Sequence, residues 1–148
     1  MDEIEPIVLP KINHVSATCP SAENKFLLIF LLYKFCFIKG KSIAYFDSPT
    51  PAFKFKMLLD RFHISSFVVF SDLPRRIVNS VYHFHEIGDI DCLILLNSGY
   101  SRQPPKLTNL SCIIFHDVPK CYNDYKNKIT QVGEGGTVLS LISSKTTK

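Results

Sequence analysis

Three glycines in four positions, Gly133, Gly135 and Gly136, raise the possibility of a loop that grips phosphate through its backbone amides. A phosphate loop is followed by Lys-Ser or Lys-Thr and then by a helix. Here Thr137-Val138-Leu139-Ser140-Leu141-Ile142 follows, β-branched and apolar, and predicts a strand. The order is wrong for that chemistry. His83-Phe84-His85-Glu86 has metal-ligand residue types, but positions two apart on a helix point to different faces and cannot share one ion as i and i+4 can. Both histidines are therefore expected on a solvated helix face. Ser71-Asp72 predicts a helix N-cap. Asp89 and Asp91 flank a turn, and no Ser/His or Cys/His pair carries a supporting motif. No catalytic, cofactor-binding or metal-ligating residue is assigned. Arg75-Arg76 is different, because two cations opening a predicted helix oppose its dipole unless an anion offsets the cost. Phosphate contact is the chemistry they suit. Lys126 and Lys128, with Lys120 ahead of them, can extend a second basic face on the last predicted helix.

The elements that must position these residues alternate along the chain. Strands are expected over 12–18, 42–46, 66–70, 92–96, 111–115 and 138–142. Helices are expected over 21–37, 50–62, 72–86 and 119–129, the third with Ile77, Val81 and Phe84 inward. The first helix is apolar nearly all round and should be covered on more than one side. Most strands are apolar on both faces, which predicts a parallel sheet covered by helices on both sides, an α/β fold. The connection over 97–109 is long and contains Pro104-Pro105. In open α/β sheets the loops after the strands carry function, so it is the first place to look.

The 148 residues suit one domain over 12–142, with flexible segments at 1–11 and 143–148. A net charge of +4 permits an acidic partner such as RNA without demanding one. The cysteines, Cys19, Cys36, Cys92, Cys112 and Cys121, are widely spaced without a C-x-x-C pair, which favours reduced, buried thiols. The N-terminus is acidic where a signal peptide is basic, and the apolar run over 26–38 is short of the ~20 residues that span a bilayer. No membrane association is expected. The arginines are Arg61, Arg75, Arg76 and Arg102, and none follows Arg102.

The stretches "ENKFLLIFLLYKFCFIKGKSIAYFDS" and "LLDRFHISSFVVFSDLP", then "CIIFHDVPKCYNDY" and "GGTVLSLI", resemble in order and spacing the second RecA-like domain of DEAD-box RNA helicases. The nucleolar branch acting in large ribosomal subunit assembly is the nearest in pattern. The resemblance covers about residues 12–142 and implies a three-layer RecA-like fold with a mostly parallel sheet. It places the start of the third helix, with Arg75 and Arg76, on the nucleic-acid side. The departures fall on the chemistry. Where the family has A-T-D, this chain has Leu95-Leu96-Asn97. The segment Ser101-Arg102-Gln103-Pro104-Pro105 keeps only Arg102 of the family's R-G-x-D. The family's H-R-x-G-R-x-x-R, which braces the γ-phosphate, is here Asn127-Lys128-Ile129-Thr130-Gln131-Val132-Gly133, and only Lys128 retains a charge. Finger arginines contribute ~10³–10⁵ in rate, and a lysine does not reproduce their planar fork. Neither the full G-x-x-x-x-G-K-[ST] phosphate loop nor a D-E-A-D box occurs in these residues; Gly40-Lys41-Ser42 has the letters G-K-S but lacks the earlier glycine and leads into a predicted strand.

The resemblance thus implies a degenerate helicase domain, inactive in ATP hydrolysis by itself, acting as an RNA- or protein-binding module in ribosome assembly or on the ribosome. Its RNA-binding residues would be Arg75, Arg76, Arg102, Lys126 and Lys128. Ribosomal RNA is the expected partner, with ribosomal or assembly-factor proteins second and DNA not expected. The expected place is the nucleolus or nucleus, or the cytoplasm if ribosome-bound. The alternative is the second domain of a split ATP-dependent helicase whose first domain is on another chain, the one case in which ATP would be a cofactor. An unrelated flavodoxin-like enzyme is a third reading.

Overall fold

The computed structural model describes residues 12–35, 38, 40–70, 72–96 and 110–143. Its strands are β1 (Asn13–Cys19), β2 (Ser42–Phe46), β3 (Ser66–Val69), β4 (Cys92–Leu96), β5 (Leu110–Phe115) and β6 (Val132–Ser143). Its helices are α1 (Ala22–Lys34), α2 (Pro49–Arg61), α3 (Arg75–Glu86) and α4 (Tyr122–Ile129). The six strands form one sheet in the order β1-β6-β5-β2-β4-β3, and every pairing is parallel. The expected α/β architecture, RecA-like with helices on both faces, is what the chain adopts.

Alternation along each strand splits the core in two. On one face Ile29 and Tyr33 of α1 and Phe55 and Leu59 of α2 pack on Ala44, Phe46, Ile94 and Ile114. On the other, Val81 and Tyr82 of α3, with Tyr125 and Ile129 of α4, pack on Tyr45, Leu93, Phe115 and Val138. The central strand β2 is buried along its whole length, as its unbroken apolar run requires. Ser21 caps α1 by accepting the Asn24 N–H at 3.3 Å. Ser48 precedes α2, whose first residue is Pro49, where a missing N–H costs nothing. α2 ends with His63 at positive φ (61°), and the N–H groups of His63 and Ile64 return to the carbonyls of Asp60 and Leu59. That is a Schellman stop with a residue other than glycine at the left-handed position.

Several expectations are corrected. α3 begins at Arg75 with Pro74 as N-cap and no side-chain cap, so Asp72 is not its capping residue; Ser71 lies outside the described residues. Its inward residues are Val78, Val81, Tyr82 and His85, whereas Ile77 and Phe84 are 43% and 45% exposed. The buried stripe is rotated by about one residue, which is ~100° on a helix. His85 is consequently fully buried, and its Nε2–H donates to the Ser42 carbonyl at 3.0 Å. Burial holds its pKa below the ordinary histidine value. On α1 Leu27 stays exposed while Ile29, Phe30 and Tyr33 are buried. α4 starts at Tyr122, later than Pro119, with Cys121 as its N-cap. Cys19, Cys92 and Cys112 are buried as expected, but Cys121 is exposed. Among the described residues no helix is long and apolar enough to cross a membrane.

The largest difference lies in β6. It begins at Val132, six residues before the expected strand, and takes in the glycines. Leu110 pairs with Val132 and Cys112 pairs with Thr137, so β6 advances five residues while β5 advances two. The glycine segment is a large bulge inside a strand, and Gly135 at φ +80° occupies a conformation other residues rarely adopt.

Candidate nucleic-acid interface

In a sheet of parallel strands all the carboxyl ends lie at one edge, where the loops that follow them converge. Here those loops are 20–21 before α1, 47–48 before α2, 70–74 before α3 and 116–121 before α4. Those after β2 and β5 are tied together by Asp117. Its carboxylate accepts the Asp47 N–H at 2.9 Å and bonds His116 Nδ1 at 3.0 Å. Lys25 Nζ lies 3.7 Å away and donates to the His116 carbonyl at 2.9 Å. Burial pushes the Asp117 pKa up, but the His116 and Asp47 hydrogen bonds and the His116 and Lys25 charges outweigh it, and the net pKa is below the usual carboxylate value. The His116 ring is buried, stacked on Phe46 with centroids 4.4 Å apart and on Phe26 at 5.2 Å. One carboxylate thereby holds the loops after β2 and β5 against the first turn of α1.

Beside this frame, Arg75 and Arg76 form the first turn of α3 at the same edge, both exposed. Among the described residues neither is in an ion pair, and the first turn contains no acid. Two guanidinium groups in no ion pair among the described residues, at the N-terminus of a helix without a side-chain cap, make a surface suited to phosphate oxygens. Such a surface is suited to binding anions. Among the described residues no group of three metal-ligating side chains is close enough to hold an ion.

The other sequence-predicted residues are not gathered there. Lys126 is exposed midway along α4. Lys128 is buried, its ammonium paired with Asp124 at 2.7 Å and lying 5.0 Å from the centroid of the Tyr45 ring. Its charge is spent inside the fold because i and i+4 on α4 share the sheet-facing side. Arg102 and the loop over 97–109 lie outside the described residues. Sequence reading missed Asp117, Lys25 and His116. The signal was present in "FHDVP", but nothing local links it to a lysine 92 positions earlier.

At the opposite, amino edge, α4 passes into β6 through Thr130 and Gln131 alone. Residues 127–133, which span the end of α4, this connection and the start of β6, contain no arginine.

An all-parallel sheet in this order with helices on both faces is the fold of RecA-like helicase C-terminal domains. Solved structures show the same fold: the C-terminal domain of the DEAD-box protein Dbp5 superposes with a TM-score of 0.79 at 20% identity, covering 90% of this chain and 78% of that one. The E. coli DEAD-box protein SrmB superposes at 0.77 and 18% identity, covering 90% and 78%. Within that class the chain is similar to the DBP9 ATP-dependent RNA helicases. It is 26% identical to that of Phaeosphaeria nodorum over 154 residues, covering 83% of this chain and 26% of that protein. It is 38% identical to that of Cryptococcus neoformans over 85 residues, covering 55% and 13%. The chain thus spans about a quarter or less of the length of these curated relatives. No protein-family model matches it.

Proposed function

We propose that this chain is a degenerate DEAD-box helicase C-terminal domain that binds RNA through the carboxyl edge of its sheet and does not itself hydrolyse ATP. The observation that carries the proposal is the place of Lys128. It is the last charge left in the segment that aligns with the arginine fingers, and it is buried against Asp124 and Tyr45. Nothing in that segment is positioned to neutralise charge on a transferring phosphoryl group. At the other edge Arg75 and Arg76 stay exposed and unpaired among the described residues. Phosphate contact is retained where phosphoryl chemistry is not. Relatives named as RNA helicases support RNA as the ligand class. The resemblance to the nucleolar branch favours ribosomal RNA in ribosome assembly or on the ribosome, and hence a nucleolar or ribosome-bound location.

The test is RNA binding by the purified chain over a salt series, with and without ATP, beside the double variant Arg75→Glu/Arg76→Glu. Single-stranded sites lose affinity with a log–log slope of about −0.7 per phosphate contact. The variant should therefore bind more weakly and with a slope shallower by roughly 1.4 if each arginine holds one phosphate. ATP should change neither curve, and the chain should release no phosphate. Absence of binding at low salt would sink the RNA reading and point to a protein partner. ATP-dependent binding, or ATP turnover on mixing with a separate helicase N-terminal domain, would favour the split helicase instead.

A further inference from the structure

Strand β1 lies at one end of the sheet, paired on its inner side with β6 from Asn13 opposite Thr137 to Cys19 opposite Ser143. Among the described residues nothing pairs with its outer side. Natural edge strands are guarded by charges, prolines, bulges or brevity. β1, Asn-His-Val-Ser-Ala-Thr-Cys, has no charged residue and no proline, and it runs in unbroken register with β6 for seven residues. Its backbone donors and acceptors are a template for one more strand.

A second observation adjoins this edge. α4 packs on β5 and β6 through Tyr125 and Ile129, and a shallow depression of roughly 370 Å³ lies between α4 and β1. It is lined by Ser16, Val118, Lys120, Tyr122, Ser140 and Ile142, among others, and no acidic side chain lines it. Tyr122 is 73% exposed, and Ile142 is half exposed. Lys126, one turn beyond Tyr122 on the same flank of α4, adds a second cation to the rim. The acid of that helix, Asp124, is turned the other way and held by Lys128.

We propose that β1 and the Tyr122 depression form a docking site for an extended acidic segment of a partner protein, which adds a seventh strand to the sheet. Backbone pairing to β1 fixes the segment as extended. Every second side chain of the segment faces α4: an apolar one lies in the depression against Tyr122 and Ile142, and carboxylates on either side of it in that same set meet Lys120 and Lys126. A nucleic acid strand would use the lysines and the tyrosine but leave the β1 amides and carbonyls unpaired, which is why a peptide is the better match. This surface is separate from the carboxyl-edge arginines and does not depend on the RNA reading.

The probe is a short fluorescein-labelled peptide in which every second residue, the set meant to face α4, reads Glu-Phe-Glu with threonines between, compared with the same peptide carrying Lys for Glu and with one interrupted by proline. Anisotropy should show binding of the acidic peptide alone. Lys120→Glu/Lys126→Glu should weaken it by at least about tenfold, and Tyr122→Ala should weaken it with the charges intact. Both variants alter exposed side chains, and circular dichroism checks that they stay folded. Hydrogen–deuterium exchange supplies the decisive readout. The outward amides of β1 should exchange rapidly in the free chain and become protected when peptide is added. Binding without that protection, or equal binding of the lysine peptide, would overturn the proposal. So would protection of those amides without any peptide, which would mean the edge is already occupied. Displacement of the peptide by a polyuridine strand through the same lysines would assign the surface to nucleic acid.

Discussion

Replacing Asp117 with alanine removes the residue that holds the carboxyl edge together, and the cost follows from its contacts. The carboxylate receives the Asp47 N–H at 2.9 Å and bonds His116 Nδ1 at 3.0 Å, with Lys25 Nζ at 3.7 Å. A hydrogen bond to a charged group contributes about 1.5–3 kcal/mol. The side chain is 23% exposed, so water can replace part of what is lost. The expected cost of Asp117→Ala is therefore near 2–3 kcal/mol, below the sum of two such bonds. For a chain of this size that lowers Tm by roughly 5–10 °C. Asp117→Asn keeps the shape but not the charge and should lose most of the same stability. The pH dependence gives a sharper check. Because the net pKa of Asp117 is lowered in the fold, its contribution is fully present above the unfolded value of about 3.8 and is lost as pH falls through the folded value. Urea unfolding of wild type and Asp117→Asn should thus show a gap that is constant at pH 5–7 and closes below about pH 4. A gap under about 0.5 kcal/mol at pH 7, or one that persists unchanged to low pH, would refute this account of the edge.

Other outcomes follow from single residues. His63→Gly relieves a left-handed conformation that costs an ordinary residue about 1–2 kcal/mol, and net stability should rise by under 1 kcal/mol after the greater unfolded-state freedom of glycine is subtracted, measured by urea unfolding. Lys128→Met should leave RNA affinity and its salt slope unchanged, since the ammonium is committed to Asp124; a weakening comparable with Arg75→Glu/Arg76→Glu would show that Lys128 reaches RNA after all. Burial pushes the Cys92 thiol up to about 11 and the Cys112 thiol up to about 12, so neither forms much thiolate at pH 8. Mass mapping after iodoacetamide treatment of the native chain should find Cys121 modified and these two untouched until denaturant is added.

Much of the frame was legible in the letters. Strands β2 and β4 were expected at their observed bounds, because each is a short apolar run closed by turn residues and needs no knowledge of its neighbours. The RecA-like class was legible because several weak motifs occurred in one order. The loss of arginine after Arg102 is a property of composition alone, and it bears directly on whether phosphoryl chemistry is possible.

Tertiary structure decided what each side chain faces. His85 and Lys128 read as surface residues because local polarity says nothing of which flank of a helix meets a sheet. Their burial is fixed by where α3 lies on β2 and where α4 lies on Tyr45. The glycine segment read as a loop because its pairing partner, β5, is remote in sequence, and only the register between the two strands makes it a bulge. Asp117 joins Lys25 and Asp47 across long separations that no periodicity records. That β1 ends the sheet among the described residues is likewise invisible in its seven residues, since a strand becomes an edge only through the order in which the others assemble beside it.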